Sequence, residues 1–136
     1  MLQNELVPGI LDVLDSLQRA KIHTYIATAK PEPYAKTIAD HFGLSRYILR
    51  VYGASFDETR REKAQVIAYA LDDIAAEPNR CVMVGDRAQD VLGAHANHID
   101  SIAAAYGYGS ADELQAASPT YIAYAPQDML RVILAE

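Results

Sequence analysis

Cys81-Val82-Met83-Val84 is apolar at every position and runs straight into Gly85-Asp86-Arg87. A short apolar run closed by turn-forming residues describes a strand covered on both faces, which implies a parallel sheet between layers of helix. The rest of the chain keeps that rhythm. After Pro8-Gly9, residues Ile10, Leu11, Val13, Leu14 and Leu17 share one helical face, and Arg19 and Lys21 suit the carboxyl end of that helix. Residues 23–27 (HTYIA) and 47–52 (YILRVY) are short, aromatic and β-branched and read as strands, the first broken by Ala29-Lys30-Pro31. Helices are predicted over 32–42 with Gly43 as the stop, and over 61–74, 88–96, 111–116 and 127–134. Two more strands are predicted over 101–105 and 121–124, with loops at 53–60 and 106–110. Helix and strand alternate throughout, the pattern of an α/β domain with a mainly parallel sheet and right-handed crossovers.

The 136 residues suffice for one domain and not for two, so residues 1–136 are read as a single domain. Twelve basic against eighteen acidic side chains leave a net charge of -6, which argues against a nucleic-acid partner and against a polybasic membrane anchor. Phosphate substrates stay within reach, because a divalent cation can carry them to an acidic protein. A single cysteine, Cys81, excludes a disulfide framework and fits a reducing compartment. No apolar run approaches the roughly 18 residues of a membrane span, and the opening MLQNELVPG lacks the basic and apolar regions of a signal peptide. A cytoplasmic protein is expected.

Ligands of open α/β sheets bind beyond the carboxyl ends of the strands. The residues there are Thr28, Ala29 and Lys30, then Gly53 to Ser55 with Lys63 at the next helix start, then Gly85 to Asp90, then Gly107 to Ser110. Asp86 and Asp90 stand four apart, one helical turn, so both carboxylates can face one site. Two carboxylates at a strand end suit Mg²⁺, which leaves positions for phosphate and water. Helix capping is the competing reading of the same acids. Thr28 places a hydroxyl and following backbone amides where a phosphate can be cradled, or where a structural hydrogen bond forms. Lys63 can pair with a phosphate or a carboxylate, or be a solvated helix charge. Lys30 and Arg87 are exposed cations within reach of a substrate. Cys81 sits inside an apolar run and is read as core. His23, His41, His95 and His98 lack metal-ligand spacing, Gly107-Tyr108-Gly109 lacks the third glycine of a dinucleotide fingerprint, and neither G-x-S-x-G nor a Walker A sequence is present.

Thr28, Lys63 and Gly85-Asp86…Asp90, in that order, resemble the second, third and fourth motifs of the haloacid dehalogenase-like (HAD) superfamily, closest to its phosphoglycolate phosphatase-like branch. The resemblance runs over residues 7–134, through VPGILDVLDSLQRAKIHTYIATAKPEPYAKTIADHFGL, GASFDETRREKAQVIAYAL and CVMVGDRAQDVLGAHANHIDSIAAAYGYGS. It implies a Rossmann-like core and Mg²⁺-dependent hydrolysis of phosphoric monoesters, with small phosphorylated metabolites as the substrate class. It implies that Thr28 and Ala29 bind the transferring phosphoryl group and that Lys63 holds the phosphate and the nucleophile's charge. It implies that Asp86 binds the metal and that Asp90 supports the metal shell or orients the lysine. The logic is charge neutralisation around a phosphoryl transition state.

The family's first motif, D-x-D-G-T, carries the nucleophilic aspartate on the central strand, and these residues contain no D-x-D. Asp12 and Asp15 lie three apart in an amphipathic helix and cannot replace it. The mobile cap that follows that motif is missing too. The resemblance therefore describes a core without its nucleophile, too short to hold both that strand and the rest, and inactive or nearly so by itself. The missing strand belongs between those bearing Thr28 and Asp86. Either these pair directly, or another strand, from a second copy or a partner chain, fills the gap, because an open edge invites association. The alternatives are a non-catalytic self-associating or phosphate- and metal-binding module, and one half of a split phosphatase. A phosphorelay receiver would place its acids after the first strand, where Thr28 stands.

Overall fold

A computed structural model describes residues 9–55, 60–106 and 110–134. Its elements run α1 (Ile10–Arg19), β1 (Ile26–Pro31), α2 (Glu32–His41), β2 (Val51–Ala54), α3 (Lys63–Ile74), β3 (Val82–Gly85), α4 (Ala88–Ala96), β4 (Asp100–Ala104), α5 (Ala111–Ala116), β5 (Tyr121–Ala123) and α6 (Pro126–Ile133), with single 3-10 turns at Leu44–Arg46 and Pro78–Arg80. The expected alternation is present and the strand pairings are parallel. The glycine-rich stretch 107–109 and loop residues 56–59 lie outside the described residues.

Two of the predicted strands sit further along the chain than propensity suggested. The first begins at Ile26, not at 23, and runs through Thr28 and Lys30 to Pro31; the second begins at Val51, not at 47. Pairing decides both. Ile26 N–H donates to Arg50 O (3.2 Å), and the ladder continues through Ile26 opposite Val51 and Ala27 opposite Tyr52. Residues 44–46 are taken by the 3-10 turn, so the chain reaches the sheet late.

The sheet itself is divided. One part is β1-β2 and the other is β3-β4-β5 in that order. Among the described residues β1 and β3 are not hydrogen-bonded neighbours, so the first of the two alternatives, direct pairing, does not occur. Ile26 uses its N–H on β2, and alternate residues of a parallel strand face opposite sides, so Ala27 directs its N–H and C=O away from β2, toward the open edge. Along β3 all four residues are only half-buried, whereas Ser101 to Ala104 of β4 are buried.

Helices cover both faces. Val13 and Leu17 of α1 and Met129 of α6 pack with Ile102 and Ala123 on one face of the larger part, and Val91 of α4 packs with Ala103, Leu114 and Ala117 on the other. In the smaller part Ala35 and Ala39 of α2 lie on Val51, and Val66 and Ala70 of α3 lie on Tyr52. The seam between the parts is Ile67 of α3 with Ala94 and Ile99, touching Ala27 of β1, Met83 of β3 and Cys81 just before it. No helix among the described residues is long and apolar enough to cross a membrane.

Candidate active site

The turn after β3 is built by the side chain that follows it. Asp90, the third residue of α4, turns back so that Oδ2 accepts the N–H groups of Asp86 (3.1 Å) and Arg87 (3.2 Å). These are amides that a helix start leaves without partners. Gly85 makes room for that fold-back: a Cβ there would overlap the Asp90 carboxyl group. The same device starts two other helices, with Gln65 Oε1 accepting from Arg61 and Glu62 and Asp128 Oδ2 accepting from Tyr124 and Ala125.

Asp90 differs from those caps in its second oxygen. Lys63, the first residue of α3, reaches across so that Nζ lies 2.6 Å from Asp90 Oδ1, an ion pair between side chains only 10% and 7% exposed. That contact is off the hydrogen-bonding direction, so Oδ1 is a buried acceptor without a hydrogen bond. Lys63 Nζ donates its well-aligned hydrogen bond to Ala27 O (2.9 Å), on the open edge of β1. One ammonium thus spans the two parts of the sheet at their carboxyl ends.

The other predicted residues are arranged around this pair. Thr28 and Ala29 follow Ala27 on β1. Thr28 Oγ1 accepts from Lys30 N–H (3.2 Å), which leaves the hydroxyl proton to donate. Ala29 and Lys30 are exposed. Asp86 is half-buried in the turn after β3. Its carboxylate is close enough to help hold the Tyr106 phenol near 12, a rise whose main cause is burial. Arg87 turns away toward α5, where its Nε pairs with Glu113 Oε2 at 2.8 Å. Glu113 Oε2 also accepts from Ala88 N–H (2.7 Å), and Ser110 Oγ caps Glu113 N–H (3.0 Å). The Arg87 hydrogen bond, then the Ala88 amide, hold the Glu113 carboxyl below its ordinary range. Cys81, read from sequence as core, is only half-buried just before β3; its Sγ donates to Glu77 O (3.4 Å), and burial pushes its thiol up.

Glu113 and Tyr106 are the residues that sequence reasoning passed over. Ser110-x-x-Glu113 is a capping-box pattern and was there to be read. Its second task, bracing Arg87 from another helix, has no signal in spacing.

The donor set suits a hydrated divalent cation in part. Asp86 and Asp90 against Lys63 leave one net negative charge, and a phosphate dianion would be repelled from that cluster unless a cation offset it. Asp86 can serve as a Mg²⁺ ligand, since that ion keeps several waters beside one or two carboxylates. Asp90 is occupied on one oxygen by two amides and faced on the other by an ammonium. Among the described residues no three His, Cys, Asp or Glu side chains come together as a complete metal cage.

Haloacid dehalogenase-like hydrolases match over residues 1–98. A 5'-nucleotidase of Pseudomonas aeruginosa is 39% identical over 119 residues, 88% of this chain and 54% of that protein. The tyrosine-protein kinase PtkA of Mycobacterium tuberculosis is 41% identical over 122 residues, 90% of this chain and 42% of that protein. A crystal structure described as a predicted phosphatase from Clostridium acetobutylicum superposes with a TM-score of 0.90 at 36% identity, covering 95% of this chain and 60% of its own. The chain spans about half the length of the curated relatives it matches. Its order of elements, the cluster at their carboxyl ends and these likenesses agree: the chain belongs to the haloacid dehalogenase-like hydrolase family.

Proposed function

We propose that this chain is the phosphate- and metal-binding half of a Mg²⁺-dependent phosphatase centre, acting on a small phosphorylated metabolite in the cytoplasm. The observation that carries the reading is Lys63: a nearly buried ammonium held between Ala27 O and Asp90 Oδ1, beside Thr28. Lys63 and the Thr28 hydroxyl, with the Ala29 amide, bind phosphoryl oxygens. Asp86 would hold Mg²⁺, which supplies the positive charge the cluster lacks. Asp90 shapes the turn and orients Lys63. Lys30 is the exposed cation that can meet the rest of the substrate; Arg87 does so only on leaving Glu113.

Turnover needs an attacking carboxylate, and these residues contain no D-x-D. We place it on a strand between β1 and β3, supplied by a partner chain or by further polypeptide. The half-exposed β3 supports that position, and so does Ala27, whose backbone groups face away from β2 although its carbonyl already accepts from Lys63. The same edges favour a second reading, self-association of the 136-residue chain, which light scattering against concentration would register.

Phosphate release from small esters with Mg²⁺ tests the proposal. The 136-residue chain alone should show background rates, and inorganic phosphate should bind with Mg²⁺ and lose affinity in Lys63→Met and Asp86→Ala. Robust turnover by the chain alone, abolished in Asp86→Ala, would show that the nucleophile is already within it. No phosphate binding at millimolar concentrations would remove the phosphate site.

A further inference from the structure

We propose that Gly93, on α4, and Asn97, which caps its carboxyl end, are positioning residues for Lys63, holding its ammonium across the seam. The inference rests on the reading of Lys63 above for its functional meaning, but its geometry stands separately. Lys63 is the first residue of α3, and nothing in the helix itself fixes where a four-carbon stem points. What fixes it is α4. Gly93 is buried against the first turn of α3, and a Cβ there would sit 3.1 Å from Lys63 Cγ, 3.1 Å from Ala64 N and 3.2 Å from Ile67 Cδ1. A methyl group would press on the stem of Lys63 itself. One turn further along, Asn97 Nδ2 donates both to Ala64 O (3.0 Å) and to Gly93 O (2.9 Å). A single side-chain amide thus ties the backbone next to Lys63 to the backbone of the glycine that faces it. Close helix packing alone would require the small residue and not the second link.

The arrangement also explains why Lys63 meets Asp90 rather than solvent. Asp90 and Gly93 are three residues apart on α4, on neighbouring positions of one face. The glycine takes the stem and the carboxylate takes the ammonium. Moving α3 outward by a few tenths of an ångström would lengthen both Nζ contacts together, the one to Asp90 and the one to Ala27 O.

Lysine acylation followed by mass spectrometry on the intact chain reads this directly. Lys21, Lys30 and Lys36 are exposed and serve as internal controls. Lys63 should react more slowly than these three in the native chain. In Gly93→Ala and in Asn97→Ala its rate should rise about fivefold, the net worth of the Lys63 hydrogen bond to Ala27 O that either change would loosen, with the controls and the far-ultraviolet circular dichroism unchanged. Asn97→Asp, which keeps the size but sets an acceptor against two carbonyls, should release Lys63 at least as much as Asn97→Ala. Should Gly93→Ala fail to fold, the two Asn97 variants decide. An unchanged Lys63 rate in folded variants would overturn the proposal, and so would a Lys63 rise matched by faster hydrogen exchange of the β4 and β5 amides far from it, which is general loosening. Added inorganic phosphate with Mg²⁺ separates the two readings. If it does not slow Lys63 acylation in the native chain while the variants still release Lys63, the phosphate site fails and the positioning stands.

Discussion

The two parts of the sheet are held by different chemistry. In β3-β4-β5 the strands pair in step through eight residues of β3 and β4, and the cover is apolar: Ile102 and Val91 are at most 1% exposed and Leu114 is 2% exposed. In β1-β2 the register slips between Ala27 and Pro31, and polar side chains do much of the holding. Buried Tyr52 donates to Asp73 Oδ2 (2.7 Å), and Arg50 pairs with the same carboxylate (2.7 Å) while its guanidinium lies 4.6 Å above the Tyr52 ring. Arg60 stacks 3.9 Å from the Tyr69 ring and donates to Gly53 O (2.8 Å), which closes the outer edge of β2. The larger part is an apolar core with a sheet inside it. The smaller is a two-stranded ribbon, marginal by itself, clamped to α2 and α3. The site lies where they meet, and Lys63 is a polar strut across the seam.

The largest test of this contrast is Ile102→Ala, which removes a fully buried side chain from the apolar part. It should cost about 3 kcal/mol in urea unfolding. Hydrogen exchange should show β3, β4 and β5 amides accelerating more than those of β1 and β2. Equal acceleration in all five strands would mean that the seam through Ile67 welds the parts into one cooperative unit.

Tyr52→Phe probes the polar clamp and should cost about 1 kcal/mol, one buried hydrogen bond. It also carries a pH signature. Burial, then the Asp73 hydrogen bond, push the Tyr52 phenol up to about 12. The unfolded chain ionises first, near 10, so this stabilisation is complete below that pH and is lost as the pH climbs toward 12. Tyr52→Phe should therefore unfold less steeply with alkali than the native chain. A slope remains from Tyr106, which also lies near 12 and belongs to the larger part. Identical alkaline curves would mean that the clamp is not what holds β2.

What could be read from sequence follows the same division. The bounds of α4 and α5 match those expected because Gly85-Asp86-Arg87 and Ser110 are local stop and start signals. The strand β3 was legible from its unbroken apolar run, read at 81–84 and found at 82–85, although all four of its residues are only half-buried. The strands β1 and β2 were misplaced by three or four residues because they are bounded by whom they pair with, and HTYIA and YILRVY carry β-forming residues before the pairing begins. At the site, residue types after each strand pointed to Thr28, Lys63, Asp86 and Asp90. The Lys63–Asp90 contact was one of two roles that the family resemblance implied for Asp90; residue spacing alone did not carry it, because it depends on how closely α3 approaches α4, which Gly93 and Asn97 set. The turn to Glu113 was missed for a similar reason, since Arg87 and Glu113 are joined only through space.

The smallest expected effect concerns that last pair and belongs to the apolar part, where polar braces should matter least. Arg87, then the Ala88 amide, lower the Glu113 pKa in the folded chain. The unfolded state then takes up protons first as the pH falls, so the stabilisation is full above the ordinary carboxylate range and disappears as the pH drops through the lowered folded value. Glu113→Gln keeps an oxygen for Ala88 N–H and loses only the charge facing Arg87. The native chain should be slightly more stable than the variant at neutral pH, with the two unfolding curves converging in acid and the neutral difference shrinking in high salt, because Arg87 is half exposed and screened. A gap that persists undiminished in acid would mean that the glutamate acts by packing and not by charge. A neutral gap as large as that of Tyr52→Phe would mean that the turn carrying Asp86 depends on a polar brace as much as β2 does, and the contrast between the two parts would narrow to their strand register alone.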